Sequence, residues 1–215
     1  MVGNDLILGP NETLLMPFFK SKYRKFSDEK LMGCIQGGDT SAFNELYDRY
    51  SKRLLFYFFR ELGGDEAKAQ DFLQEIFLKI VEKPGLFRTE RKFSTWIFTV
   101  AYNLCKNEYR RMQIRSIVQN EPFLDEVTPS YDMDNHHSEQ SVDANIFKNA
   151  LSAELGKIDT IQRSVFVMRY QQNLSIKEIS NVLNTSEGTI KSRLFYTTRK
   201  LANRLKAFNP NLVEV

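Results

Sequence analysis

The sequence predicts an all-α protein: two small helical domains joined by a flexible acidic linker, the second containing a helix-turn-helix. Three observations predict it. Apolar residues recur at i, i+3, i+4 and i+7 over long stretches, and no strand-like alternation competes with them. Glycine pairs, Gly37-Gly38 and Gly63-Gly64, stop the helices of the first half. Between Met112 and Asp143 periodicity is lost and Pro122 and Pro129 appear, while Glu121, Asp125, Glu126, Asp132, Asp134, Glu139 and Asp143 face only Arg115.

Taken in order, residues Met1 to Phe26 read as a loosely ordered extension with a basic Lys20–Lys25 run. Ser27-Asp28-Glu29 supplies a cap and an acidic first turn for a helix carrying Leu31 and Ile35. A long helix follows over about Thr40 to Leu62, with Phe43, Leu46, Tyr47, Tyr50 and Leu54 on one side. The next, about Asp65 to Glu82, separates two faces. Ala69, Phe72, Leu73, Ile76, Phe77 and Ile80 make a stripe to bury. Opposite them Asp71, Gln74, Glu75 and Leu78 repeat the same spacing. An acidic and amide cluster around a lone exposed leucine suits a docking patch better than a merely solvated face.

Lys83-Pro84-Gly85 ends that helix, and a basic loop runs through Arg88, Arg91, Lys92 and Phe93. Ser94 is placed to cap a helix reaching about Arg111, with Ile97, Ala101, Leu104 and Cys105 inward. Trp96, Thr99, Asn103, Lys106 and Arg110 fall within about 80° of one another on its outer side, at 100° per residue. Cations take phosphates, aromatics stack on unpaired bases and an amide reads a base edge, so this track fits a nucleic-acid strand. A structural role for Trp96, as plain core, remains open beside that reading.

Beyond the linker, Leu151 and Leu155 mark one helix, and Ile161, Val165 and Met168 the next, opened by Asp159 or Thr160. Leu174 to Lys206 is a helical hairpin. Ser175 caps the first helix, Asn184-Thr185-Ser186 breaks the pattern, and Ser186 caps the second. Ile190, Leu194, Leu201 and Leu205 share one side of that helix; Thr189, Ser192, Tyr196 and Arg199 lie opposite, with Arg193 and Lys200 at the edge. From Ser186 to Phe208, Lys191, Arg193, Arg199, Lys200, Arg204 and Lys206 face only Glu187, although the whole chain is +3. Local cationic excess on a helix-turn-helix is what phosphate contacts require.

Composition bounds the rest. At 215 residues and 42% hydrophobic the chain has room for one large or two small domains. Cys34 and Cys105 lack metal spacing and suit a reducing cytoplasm as small apolar groups. His136-His137 has no further ligands at useful spacing. Neither a targeting pattern nor the roughly 20 apolar residues of a membrane span is found, so a cytoplasmic location without membrane insertion is expected. There is no Gly-rich phosphate loop and no nucleophile–base pair, so no catalysis, cofactor or metal is expected.

After residue 26 the chain resembles the extracytoplasmic-function sigma factors, compact alternative sigma subunits of bacterial RNA polymerase. AQDFLQEIFLKI (Ala69 to Ile80) is similar to the family's segment that docks on the polymerase clamp helices. FSTWIFTVAYNLCKNEYRR (Phe93 to Arg111) is similar to its promoter-melting, minus-ten segment, and LSIKEISNVLNTSEGTIKSRLF (Leu174 to Phe195) to its minus-thirty-five segment. The resemblance implies a region 2-like domain over 27–111, a linker over 112–143, a region 4-like domain over 144–208 and a tail over 209–215. It implies that Asp71, Gln74, Glu75 and Leu78 meet core polymerase. Arg88, Arg91, Lys92, Phe93, Trp96, Thr99, Asn103, Lys106 and Arg110 would meet minus-ten DNA. Ser186, Thr189, Lys191, Ser192, Arg193, Phe195, Tyr196 and Arg199 would meet minus-thirty-five DNA. Core RNA polymerase and promoter DNA are the implied partners, and an anti-sigma factor is one the resemblance allows. Two positions depart from the family: Tyr102 stands where Arg or Lys is usual, and Tyr196 where Arg is frequent. A helix-turn-helix regulator acting without polymerase is the alternative, and it would not need the Phe93–Arg111 track.

Overall fold

The computed structural model describes residues 22–119 and 142–208. The linker acids from Glu121 to Glu139 and His136-His137 lie outside the described residues. Among those described there are eight α-helices and no strand. Helices α1 (Asp28–Gln36), α2 (Thr40–Glu61), α3 (Glu66–Glu82) and α4 (Phe93–Gln119) form the first domain. Helices α5 (Val142–Gly156), α6 (Thr160–Phe166), α7 (Ile176–Leu183) and α8 (Glu187–Arg204) form the second.

Local chemistry sets most helix ends. Ser27 Oγ accepts from Lys30 N, Asp39 from Ser41 N and Ala42 N, and Asp65 from Lys68 N. Asp159, rather than Thr160, caps α6. Gly63 and Gly64 both take positive φ, 78° and 84°, and so end α2 in a conformation that side chains resist. Ser175 and Glu178 form a complete capping box on α7, and Asn184 closes that helix in the left-handed region at φ 49°.

Three expectations change. The basic run at the end of the extension is not loose from Lys22 onward: Lys22–Lys25 is a 3-10 turn with Tyr23 buried. Arg49 holds the turn by donating to the carbonyls of Tyr23, Arg24 and Phe26. Ser94 is not the cap of α4. The helix begins at Phe93, whose N–H is taken by Glu29 Oε1 of α1 at 3.0 Å, a cap delivered from another helix and therefore invisible to local pattern. Finally, α4 runs on to Gln119, past Arg111 and into the segment assigned to the linker. Its added turns leave Met112, Ile114, Ile117 and Val118 exposed, so no buried stripe announced them.

The first core is built on aromatics. Tyr57, Phe58, Phe87, Phe93 and Phe98 are buried, and edge-on ring pairs join Tyr57 to Phe98, Phe58 to Phe72 and Tyr50 to Phe93. That core continues without a break into the second domain through Val165, Val167, Met168, Leu174, Ile179, Val182, Ile190 and Leu194. The two domains are in direct contact: α7 packs on α4, and α6 on the end of α2. A smaller core of Leu155, Ile158, Phe166 and Leu201 closes the far side of the second domain.

Where α6 meets α2, Glu61 and Arg163 are each only 1% exposed, 3.9 Å apart. Ser164 Oγ donates to Glu61 Oε2 at 2.7 Å, and Arg163 also reaches the Tyr109 hydroxyl. Burial pushes the Glu61 carboxyl up to about 7, with Arg163 and the Ser164 hydroxyl pulling it down. A carboxyl whose folded value lies above its unfolded one stabilises fully below about 4.5, and the contribution is lost as pH rises through about 7. Stability to urea should therefore be higher at about pH 5.5 than at about pH 8, and Glu61→Gln should flatten that difference. Arg163→Ala should cost about 3–5 kcal/mol at about pH 8, where Glu61 is left charged and alone, and less at about pH 5.5, where it takes a proton. Adding Glu61→Gln to Arg163→Ala should recover much of the loss at the higher pH.

Candidate polymerase and nucleic-acid interfaces

Three surfaces remain once the cores are formed. The first is on α3. Its buried stripe is the one the spacing selects, Ala69, Phe72, Leu73, Ile76, Phe77 and Ile80. On the other side Asp71 and Gln74 are exposed, Leu78 is 55% exposed, and Glu75 is half-buried and paired with Lys79 at 2.6 Å. Beside them opens a groove of about 350 Å³ lined by Phe43, Tyr47, Gln70, Leu73, Phe77 and Val81, among others. Tyr47 shares the side of α2 that carries Leu46 and Tyr50, yet it is 40% exposed; its ring lies tilted against that of Phe77, centroids 4.6 Å apart, and forms one wall of this groove. Val81, one turn after Leu78 and also exposed, belongs to the same patch, and its i+3 spacing from Leu78 was the available signal.

The second surface follows the loop before α4 and the outer side of that helix. Arg88, Arg91, Lys92, Asn103, Lys106 and Arg110 are all exposed, giving five cations and an amide on one track. Trp96 is half-buried, its ring 5.4 Å from Phe87 and 5.6 Å from Phe93. Phe93 itself has no exposed surface. It is therefore corrected from a DNA-contacting residue to the floor on which Trp96 rests, because its ring is the one that Tyr50 and Phe87 close over. Arg91, Lys92, Thr95, Trp96 and Thr99 line a cleft of about 510 Å³, and its remaining wall is Asn181 of α7. Thr95 and Asn181 were not singled out from the sequence. Asn181 had no local signal, since only the packing of α7 on α4 brings it there.

Glu178 of α7 ties the cleft to the second domain. Its Oε1 accepts from Lys92 Nζ at 2.9 Å and from Ser94 Oγ at 2.8 Å, while Oε2 accepts from the Ser175 N–H and hydroxyl. Partial burial works against the charge, but the Ser175 N–H, Lys92 and the two hydroxyls outweigh it and hold the carboxyl down at about 2. A second cavity, about 360 Å³, lies between α4 and α6 and is lined by Glu61, Tyr102, Cys105, Lys106, Arg110 and Ser164, among others. Burial pushes the Cys105 thiol well up, which suits an inert packing group.

The third surface is on α8. Ile190, Leu194 and Leu201 are buried and dock the helix. Ser186, Lys191, Ser192, Phe195, Tyr196 and Arg199 are exposed, the two aromatics at 59% and 63% with ring centroids 5.4 Å apart. Thr189 is half-buried, and its hydroxyl shares a hydrogen bond with Ser186 at 2.8 Å. Arg193 is half-buried and lies near α4. The Tyr102 phenol is raised chiefly by burial and by Glu61, and the Arg193 charge opposes them.

No described helix is long and apolar enough to cross a membrane, and the described residues hold no cluster of three potential metal ligands. The Sigma-70 region 2 family matches residues 46–114, and the Sigma-70, region 4 family matches residues 148–201. Among curated relatives, the ECF RNA polymerase sigma-E factor of Haemophilus influenzae is 30% identical over 190 residues, which are 85% of this chain and 97% of that protein. The ECF RNA polymerase sigma factor BldN of Streptomyces coelicolor is 31% identical over 179 residues, 82% of this chain and 65% of that longer protein. In fold the chain is similar to the sigma factor RpoE of Bartonella quintana, solved with the anti-sigma factor NepR, at TM-score 0.65 and 18% identity over 76% of this chain and 96% of that one. It is also similar to CnrH, solved with the cytosolic domain of CnrY, at TM-score 0.62 and 23% identity over 85% and 99%. With region 2 and region 4 both matched in order, and the Haemophilus relative aligned over nearly its full length, this chain belongs to the extracytoplasmic-function sigma factors of RNA polymerase.

Proposed function

We propose that the three surfaces divide the work of a sigma factor among them. The exposed face of α3, with Asp71, Gln74, Glu75, Leu78 and the adjoining Tyr47–Val81 groove, docks on core RNA polymerase. The basic track of α4 and its preceding loop captures melted minus-ten DNA: Arg88, Arg91, Lys92, Lys106 and Arg110 meet phosphates, Trp96 and Thr99 the extruded base, and Asn103 the duplex edge. Helix α8 enters the minus-thirty-five major groove, with Thr189, Lys191, Ser192, Arg193, Phe195, Tyr196 and Arg199 toward DNA and the free groups at the Ser186 cap beside it. The protein acts in the cytoplasm and catalyses no reaction of its own. An anti-sigma factor, the class of partner with which the Bartonella RpoE was solved, is a partner for this chain too.

The observation that carries this reading is the exposed carboxylate, amide and leucine patch of α3 standing beside an apolar groove on the same domain as the cationic track. A DNA-binding protein that worked alone would need the cations but not the patch. Energetics point the same way. Opening duplex costs about 1.4 kcal/mol per base-pair step in stacking, and stacking one flipped base on an aromatic returns about 1–3 kcal/mol. Such a balance traps a bubble better than it makes one, so the larger enzyme is needed.

Run-off transcription from genomic DNA fragments, with core polymerase plus or minus this chain, tests the reading; initiation only when both are present is the expected result. The Asp71→Ala, Glu75→Ala double variant should lose about tenfold or more in core affinity by titration, about 1.4 kcal/mol, while its second domain still binds duplex. Normal capture of core by that variant would remove the docking assignment. Arg193→Ala should cost about 1–3 kcal/mol in promoter binding and lower the slope of affinity against salt by about one.

A further inference from the structure

We propose that the groove between α2 and α3 is covered, while polymerase is absent, by the chain's own segment Leu14–Phe19, which competes with core RNA polymerase for the docking face. The inference rests on reading that face as the polymerase-docking surface, and it supplies an occupant for it in the free protein.

Tyr47, Leu78 and Val81 are 40%, 55% and 54% exposed, and the groove of about 350 Å³ beside them is walled by Phe43, Leu73 and Phe77. Contiguous apolar surface of this kind is uncommon on a free monomer unless something binds it. Asp71 and Glu82 are exposed on the side of α3 that carries Leu78, at i−7 and i+4 from it, so the apolar floor has an acidic margin. The fitting occupant is an apolar run with cations beside it and no carboxylates. LLMPFF (Leu14 to Phe19), ahead of the described residues, has that composition. It is wholly apolar and is followed by Lys20, Lys22, Arg24 and Lys25, with no Asp or Glu before Asp28.

The point at which the described chain begins also favours this groove. Tyr23 donates its hydroxyl to Asp39 Oδ2 at 2.5 Å, at the cap of α2, and Phe43 stands one turn further along that helix. Arg49 donates to the Tyr23 and Arg24 carbonyls, so the turn that Lys22 opens is pinned to the helix that supplies Phe43 and Tyr47. Tyr47 lies about 160° round α2 from Arg49, at 100° per residue. Half the circumference of a helix about 11 Å across is roughly 17 Å. Leu14 is eight residues before Lys22, a reach of about 27 Å, so Leu14, Leu15 and Met16 can enter the groove from the capped end of α2. A short tether gives an effective concentration in the millimolar range, so weak contacts keep the groove filled until polymerase, with more surface to offer, displaces the segment. Filling it about 80–90% of the time lowers the apparent affinity for polymerase about five- to tenfold.

The test uses the full chain. When core RNA polymerase is titrated with fluorescein-labelled protein, the Leu14→Asp, Leu15→Asp double variant should bind about five- to tenfold more tightly than wild type, because carboxylates are unwelcome in an apolar groove beside Asp71. Tighter binding cannot come from damage to the fold. In a second arm, p-benzoylphenylalanine in place of Leu15, irradiated without polymerase, should cross-link within the chain to Tyr47, Phe77, Leu78 or Val81, and added core should suppress those cross-links. Unchanged or weaker core binding by the double variant overturns the proposal, as do cross-links that fall elsewhere on the chain or on a second copy. The two readings fail separately. If Asp71→Ala, Glu75→Ala loses core affinity while the Leu14, Leu15 variant gains none, only the covering segment is removed. If Asp71→Ala, Glu75→Ala captures core normally, the docking face is lost and this inference with it.

Discussion

Helix α4 has to be buried on two sides and bare on a third, and the architecture follows from that demand. One side packs into the aromatic core of the first domain through Ile97, Phe98 and Ala101. Another receives α7 and α6 of the second domain. As far as Arg110 a strip bearing Asn103, Lys106, Asn107 and Arg110 is left to solvent, and beyond it the helix is exposed nearly all round. A helix with apolar contacts on two sides lacks one clean amphipathic stripe, so packing rather than propensity keeps it in register. Its first turn shows the same dependence: the Phe93 N–H is satisfied by Glu29 of α1, and the Ser94 hydroxyl is turned toward α7.

The junction between domains continues the apolar core of the first and adds buried charge to it. It mixes apolar contact with a carboxylate and a guanidinium that have almost no access to water. Glu61 Oε1 and two nitrogens of Arg163 have no hydrogen-bond partner within the described protein. Such pairs add little net stability compared with apolar packing, because desolvation offsets most of the attraction. They do make the interface sensitive to proton binding, and they lose little when water returns.

The recognition helix illustrates how exposure and charge divide labour along one element. Ile190, Leu194 and Leu201 anchor α8, so the orientation of the opposite side is set by apolar packing and not by DNA. That side presents cations, hydroxyls and two large aromatics, groups of the kinds that phosphates and base edges take. Tyr196 cannot make the forked guanine contact of an arginine. Its ring and that of Phe195 offer apolar surface instead, the kind that meets a thymine methyl.

Helix number, the caps at Ser27, Ser175 and Ser186, the glycine stops and the buried stripe of α3 were all legible in the sequence. Each depends on residues within a few positions of one another, and helical periodicity reports them directly. The exposed patch of α3 and the basic side of α8 were legible for the same reason, as the complements of stripes that had to be buried. What could not be read were the features made by distant segments. The cap on α4, the burial of Phe93, the exposure of Tyr47, the continuation of α4 past Arg111 and the seating of Glu178 on Lys92 all depend on which helix lies beside which. Sequence by itself determined the local periodicity and the charge each surface would carry. Only the tertiary structure decided that a carboxylate capping one helix would also reach across to a lysine and a serine hydroxyl at the start of another, because hydrogen-bond donors and acceptors brought together by apolar packing carry no trace of that meeting in their sequence spacing.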